Sequence, residues 1–213
     1  MRKNSLLLVA AMLLAGCVAN QPVKKDMSAF ETAKPRSILV LPIVNKSLDV
    51  DAPNYVLAAL PIPVAEKGYY VFPVNTTKFV LEQEGYYEGE KIHEQTSSSL
   101  AKLFGADAVL YVTIHRWDAQ YILLSTTVTV EFEYRMVSKD DVVIWEERKQ
   151  MRYAPQNDSG GHPVAQLLGA LISAAITRAA PNYMPLTKQA NQQVFVLGPN
   201  PLPDGPYRPV EKK

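Results

Sequence analysis

The sequence predicts an α/β (α+β) fold: a mixed sheet begun by a β-α-β-α-α-β unit, extended by a long antiparallel hairpin and covered by a C-terminal apolar helix. Three observations carry this. The run Ser37-Ile38-Leu39-Val40-Leu41-Pro42-Ile43-Val44-Asn45 is aliphatic without alternation, as a strand buried on both faces must be. From Thr126 to Met136 the side chains alternate instead, with Val128, Val130, Phe132 and Tyr134 on one face and Thr129, Glu131, Glu133 and Arg135 on the other. The segment Val164 to Ala180 carries Leu167, Leu168, Leu171, Ile172 and Ile176 with small residues on nearly every other side, the pattern of a buried helix.

After the first strand, Asn54 can cap a helix through Tyr55, Val56, Leu57, Leu60 and Val64, which Pro61 and Pro63 should bend or end before Gly68. Tyr69 to Val74 reads as a second strand, with one tyrosine of the Tyr69-Tyr70 pair facing in and the other out. Asn75 or Thr76 can cap a helix through Phe79, Val80 and Leu81 that stops near Gly85. Ile92 to Phe104 reads as one further helix, closed by Gly105, and Asp107 to Ile114 as the third strand. In the hairpin that follows, Val142 to Tyr153 returns after a turn at Ser138 to Asp141. A tight register places Tyr134 beside Trp145, Met136 beside Val143 and Glu131 beside Arg148. The tail carries Pro199, Pro201, Pro203, Pro206 and Pro209 and is expected to be an extended arm, either disordered or lying on a neighbouring subunit.

The first residues specify an address. Arg2 and Lys3 precede an apolar stretch from Ser5 to Leu14, which is shorter than the roughly 20 residues that span a bilayer, and Leu14-Ala15-Gly16-Cys17 follows as a lipobox. Cys17 is the one cysteine of the chain. Lipidation there would use the only thiol, leaving none for a disulfide, a cysteine-ligated metal or a nucleophile. Two or more acyl chains suffice for stable anchoring. Val18 stands where an inner-membrane retention signal would carry Asp, which favours the outer membrane, facing either the periplasm or the cell surface. The organisation is therefore a signal peptide at 1–16, a lipidated N-terminus and spacer at 17–36, one globular domain at 37–197 and the proline-rich arm at 198–213.

Lysine and arginine total 22 against 21 acidic residues, so the balance of charge does not indicate a nucleic-acid surface. No reactive constellation emerges. His93-Glu94-Gln95-Thr96-Ser97 lacks the second His of a zinc-binding helix, and His115 ends a predicted strand. Asn157 to Pro163 places Asp158, Ser159 and His162 within five residues, too close in sequence to converge as a triad and without a nucleophile elbow. Glu82, Glu84, Glu88, Glu90 and Glu94 have helix-surface spacing. Neither a cofactor nor a metal is expected. Tyr86 and Tyr87, in the turn-rich Gly85-Tyr86-Tyr87-Glu88-Gly89-Glu90, are equally suited to packing at a sheet edge and to binding a partner. Leu168, Leu171 and Ile172 belong to the domain core, to a subunit interface or to a membrane contact.

The lipobox at Cys17, the strand Ile38 to Pro42, the Gly85 to Glu90 segment, the Gly105-Ala106-Asp107 strand entry and the long hairpin together resemble an uncharacterised bacterial lipoprotein family that includes a neisserial surface-antigen candidate. The resemblance covers essentially the whole mature chain. It implies a fold similar to the N-terminal domain of TolB and the periplasmic domain of CsgG-type secretion lipoproteins, and it implies a CsgG-like lipoprotein as a partner. It brings no catalytic residues.

The expected function is therefore a non-enzymatic outer-membrane lipoprotein working through protein contacts in an envelope assembly or transport complex, as a homo-oligomer with a dimer favoured. A peptidoglycan-directed hydrolase using the glutamates or the Asp158 to His162 loop, and a periplasmic ligand carrier, are the alternatives. Cys17→Ser should abolish palmitate labelling and move a folded domain into the soluble fraction. A variant that stays membrane-bound would place the anchor elsewhere.

Overall fold

The computed structural model describes residues 25–122, 125–153, 176–177 and 180–209. Helix α1 (Ser28–Ala33) leads into β1 (Ser37–Val40) and β2 (Val44–Asn45). Helices α2 (Ala52–Ala59) and α3 (Pro61–Glu66) connect to β3 (Tyr70–Val71). Helices α4 (Val74–Gln83), α5 (Gly89–His93) and α6 (Ser97–Phe104) cross to β4 (Ala108–Ile122), and β5 (Ser125–Ser138) and β6 (Val143–Tyr153) follow as antiparallel neighbours. A short β7 (Ile176–Thr177) pairs with β8 (Ala180–Pro181), and α7 (Met184–Gln192) runs into a π-helical turn at Gln193–Leu197.

The sheet order is β3-β1-β4-β5-β6, with β2 continuing alongside β4. β1 is parallel to both β3 and β4, and β4-β5-β6 is antiparallel, so the predicted mixed sheet is present. β1 is buried on both faces as its composition demands. Ile38 and Val40 enter one core with Val56, Leu60, Phe132, Tyr134 and Phe195, while Leu39 and Leu41 enter the other with Leu81, Ile92 and Leu100. Helices α1, α2, α3 and α7 supply residues to the first core, and α4, α5 and α6 to the second.

Several elements differ from their sequence-based outline. Pro42 interrupts the first strand, which resumes as β2. The first crossover helix starts at Ala52 after Asp51 rather than at Asn54, with Pro53 in its first turn, and it breaks at Pro61 as expected. The expected helix Ile92 to Phe104 is two helices. The first ends at His93, and Thr96 caps the second, its side chain accepting from the Ser99 amide at 3.3 Å. The third strand does not stop at Ile114 but runs on to Ile122 through an irregularity between Ile114 and Arg116. In the β5-β6 ladder Met136 lies opposite Trp145 and Tyr134 opposite Glu147, two residues from the tight register. A two-residue displacement keeps the side chains from Trp145 onward on their predicted face, whereas Val143, expected beside Met136, lies opposite Val137 across a second register shift and is exposed. Arg148 and Glu131 still form an ion pair at 2.7 Å, now as diagonal neighbours.

The chain ends also differ. The spacer was expected to reach residue 36, yet Ser28–Ala33 is helical and buries Phe30 against Tyr69, edge to face at 6.4 Å. Most of the apolar segment Val164 to Ala180, with Leu168, Leu171 and Ile172, lies outside the described residues. Its far end is not helical: Thr177 and Ala180 face one another in the β7-β8 pair. The C-terminal helix that packs on the sheet is α7, which contributes Leu186 and Ala190 to the core. Tyr134 donates to Asn191 Oδ1 at 2.7 Å and Asn191 Nδ2 donates to the Ala59 carbonyl at 3.3 Å, tying α7 to both the sheet and α2.

The proline-rich arm folds onto its own chain. Leu202 is fully buried, Tyr69 donates to the Pro203 carbonyl at 2.8 Å, and the Gly205 and Tyr207 amides donate to the Lys67 and Gly68 carbonyls. Lys67, itself buried, pairs with Asp204. Gly68 has φ +88°, and a Cβ there would lie 2.3 Å from the Arg208 amide nitrogen, so this approach requires glycine. Leu202→Ala should cost about 2–5 kcal/mol in urea unfolding. The exposed Val142→Ala should stay within about 0.5 kcal/mol.

Candidate functional site

The second core ends in an aromatic rim. Alternation along the strand sends Tyr69 into the first core and leaves Tyr70, on the opposite face, 52% exposed. Tyr70 meets Phe72 edge to face at 5.0 Å, and Phe72 meets Phe104 of α6 at 6.2 Å. Phe72 and Phe104 are partly buried against the second core, and Leu103 beside them is exposed. Ring pairs in this geometry hold one another rigid, so the rim presents preformed apolar area with little rotamer freedom left to lose on binding.

Tyr86 and Tyr87 divide between the two roles the sequence left open. Tyr86 packs on the second core and donates to Gln95 Oε1 at 3.3 Å, whereas Tyr87 is 75% exposed. The turn that separates them is fixed at both ends. Gly85 takes φ +87°, and a Cβ on Gly89 would stand 2.8 Å from the Ile43 carbonyl oxygen, so α5 sits directly on the backbone leaving β1.

Beneath this turn lies a polar aromatic cluster. His93 Nε2 is 2.9 Å from the Pro42 carbonyl, the His93 ring stands edge-on to Tyr111 at 5.1 Å, and the Arg135 guanidinium lies over the Tyr111 ring at 4.8 Å. Tyr111 donates to the Gln95 carbonyl at 3.3 Å. Burial, reinforced by Arg135, lowers the His93 pKa to about 4 despite the opposing Pro42 carbonyl and Glu90. Burial also raises Tyr111 to about 12. Both groups are thus neutral near pH 7, and His93 serves as a structural hydrogen-bond donor to Pro42 rather than as a surface residue.

The other candidates do not converge. His115 pairs with Glu133 at 2.9 Å within the sheet, Glu94 with Lys91 at 3.1 Å and Glu82 with Lys78 at 4.0 Å. Among the described residues no three His, Cys, Asp or Glu side chains form a group that could hold a metal. Cys17, the Asp158 to His162 loop and Leu168, Leu171 and Ile172 lie outside the described residues. Sequence reading missed the rim. Its signal was the i, i+2 spacing of Tyr70 and Phe72, but contact with Phe104 depends on the crossover that brings α6 beside β3.

Because the folded-state pKa of His93 lies below its unfolded value of about 6.5, the unfolded chain binds more protons between pH 4 and 6.5. Stability supplied by neutral His93 is complete above pH 6.5, falls as pH drops through this window and is lost below about 4. Melting temperature measured against pH should fall through the window for the natural chain, and His93→Gln should flatten that fall.

Residues 25–207 match the family model described as Putative lipoprotein GNA1162-like. Putative lipoprotein NMB1124/NMB1162 of Neisseria meningitidis serogroup B is 34% identical over 174 residues, which is 81% of this chain and 79% of that protein. The crystal structure of lipoprotein GNA1162 from Neisseria meningitidis superposes with a TM-score of 0.56 at 32% identity, covering 66% of this chain and 97% of that one. This chain is a member of the GNA1162-like lipoprotein family.

Proposed function

We propose that the protein is lipidated on Cys17, anchored by that lipid in the outer membrane, and acts there through protein–protein contacts in an envelope assembly or transport complex. The observation that carries the contact reading is the aromatic rim: Tyr70, Phe72 and Phe104 are mutually braced, with Leu103 exposed beside them. Aromatic side chains supply much of the energy of protein interfaces because they bury large areas at small entropic cost. Tyr87, 75% exposed beside the core-packed Tyr86, is a separate exposed anchor. Membership in a lipoprotein family supports the anchor. Assembly as a homo-oligomer, with a CsgG-like lipoprotein as the partner to test first, completes the proposal.

A photo-crosslinking residue at Tyr70 or Tyr87 in the lipidated protein, expressed in its own envelope, should yield a discrete adduct with an envelope protein. With the crosslinker at Tyr87, Tyr70→Ala should reduce that adduct at least tenfold, as loss of about 2 kcal/mol from an anchor residue implies. Release of soluble fragments from purified sacculi by the intact protein, without any adduct, would replace the contact reading with an enzymatic one.

A further inference from the structure

The loop between β2 and α2 displays two aliphatic side chains to solvent. Leu48 is completely exposed and Val50 84% exposed, on a loop that is otherwise held by its own polar groups. Asn45 Nδ2 donates to the Asp49 carbonyl at 2.8 Å, and Asn45 Oδ1 accepts from the Ser47 amide at 3.0 Å and the Ser47 hydroxyl at 2.7 Å. Asp49 Oδ1 accepts from the Asp51 amide at 2.9 Å, and Asp49 Oδ2 accepts from the Trp117 indole at 3.2 Å. Tyr55, half exposed, stacks on the same indole at 6.3 Å.

We propose that this loop seats in the lipid surface to which the chain is tethered, with Leu48 and Val50 in the boundary between headgroups and acyl chains. Three features favour lipid over a protein pocket. Both side chains stand almost wholly in solvent, so a fluid medium can surround them without a complementary cavity. Much of the loop's polar backbone is already satisfied internally, which removes the main cost of leaving water. Around the tip, Lys46 is exposed to reach phosphate and the amphipathic ring of Tyr55 lies alongside, while of the two carboxylates Asp49 is held by the Trp117 indole and Asp51 is exposed to stay in water.

The tether permits this seating, and the proposal rests on the lipidation reading. Lys25 Nζ donates to Glu147 at 2.8 Å, and Glu147 stands level with Tyr134 and Val112 in the ladder. Trp117, which holds the loop, is five residues further along β4, about 16 Å at the rise of a strand. Cys17 is eight residues before Lys25, so the lipid can lie up to about 28 Å away. The anchor can therefore be in the bilayer while the loop touches its surface.

The test uses the full lipidated protein in phosphatidylethanolamine–phosphatidylglycerol vesicles. Cys17 is occupied by lipid, so Leu48→Cys or Val50→Cys takes an environment-sensitive fluorophore alone, with Tyr87→Cys as the reference site. At 48 and 50 the emission should shift to the blue, and nitroxides in the upper acyl chain should quench it at least threefold more than at 87. An aqueous quencher should show the opposite order. Equal aqueous quenching at all three sites on vesicle-bound protein would overturn the loop seating while leaving the anchor intact. Shielding at 48 without nitroxide quenching, as a protein pocket would produce, would overturn it as well. Failure of the protein to float with vesicles at all would instead overturn the anchor.

Discussion

The irregularity in β4 between Ile114 and Arg116 reverses which side of the strand faces the first core. Ala108, Leu110, Val112 and Ile114 enter that core at the regular spacing of two, and continuing the period would send in Arg116. The extra residue turns Trp117 inward instead and leaves Arg116 outside, paired with Asp118 at 3.3 Å. Trp117 then stacks on Tyr183 at 4.7 Å, next to the start of α7, and on Tyr55 of α2. Its indole nitrogen fixes Asp49. One inserted residue thus connects the antiparallel hairpin, the crossover helix, the C-terminal helix and the β2-α2 loop, and desolvating Arg116 would be costly in the absence of the bulge.

A second irregularity, between Met136 and Val137, has a related effect at the opposite end of the hairpin. Ile144 and Trp145, adjacent in sequence, both enter the first core, where Trp145 stacks on Phe195 at 5.5 Å. Val137 turns to the second core. The hairpin can therefore serve both layers of the domain, closing the second core under α6 at its base and the first core under α7 above. Asp141, at φ +60°, completes the base. It accepts from Ser97 at 2.7 Å and Ser98 at 2.7 Å, and these bonds lower its pKa.

Those irregularities mark the limit of what the sequence discloses. Burial of β1 on both faces, the alternation of β5 and the breaks at Pro61 and Gly105 follow from side-chain period and backbone chemistry, and they were legible residue by residue. A bulge leaves no local signature, since Ile114, His115 and Arg116 are each acceptable strand residues; what selects it is the energy of burying Trp117 rather than Arg116, a tertiary quantity. The same holds for the arm. Five prolines exclude helix, but only the fit of Leu202 and the Lys67–Asp204 pair determines that the extended chain returns to its own domain. For the site, Tyr86 and Tyr87 were legible as a pair and their opposite fates were not, because Gln95 reaches Tyr86 only after Thr96 has broken the expected long helix in two.

The two exposed apolar surfaces differ in kind, and their separation gives the molecule a direction. Tyr70 is level with Ser37 at the start of β1, whereas Leu48 follows β2, whose last residue Asn45 is eight positions further on. Along β4, where Ile38 faces Ala108 and Asn45 faces Ile114, this is about seven residues, so the rim and the loop are about 23 Å apart. The rim is aromatic, braced ring against ring and able to offer defined contacts; the loop is aliphatic and able to accept disordered ones. A lipid tether alone fixes height but not orientation, since a short extended segment swivels freely about its anchor. Adding a second, weak point of contact at the loop would restrict that swivel at little entropic cost, because the tether already supplies proximity. In the proposed orientation the rim faces away from the bilayer, where a partner in the aqueous space can reach it.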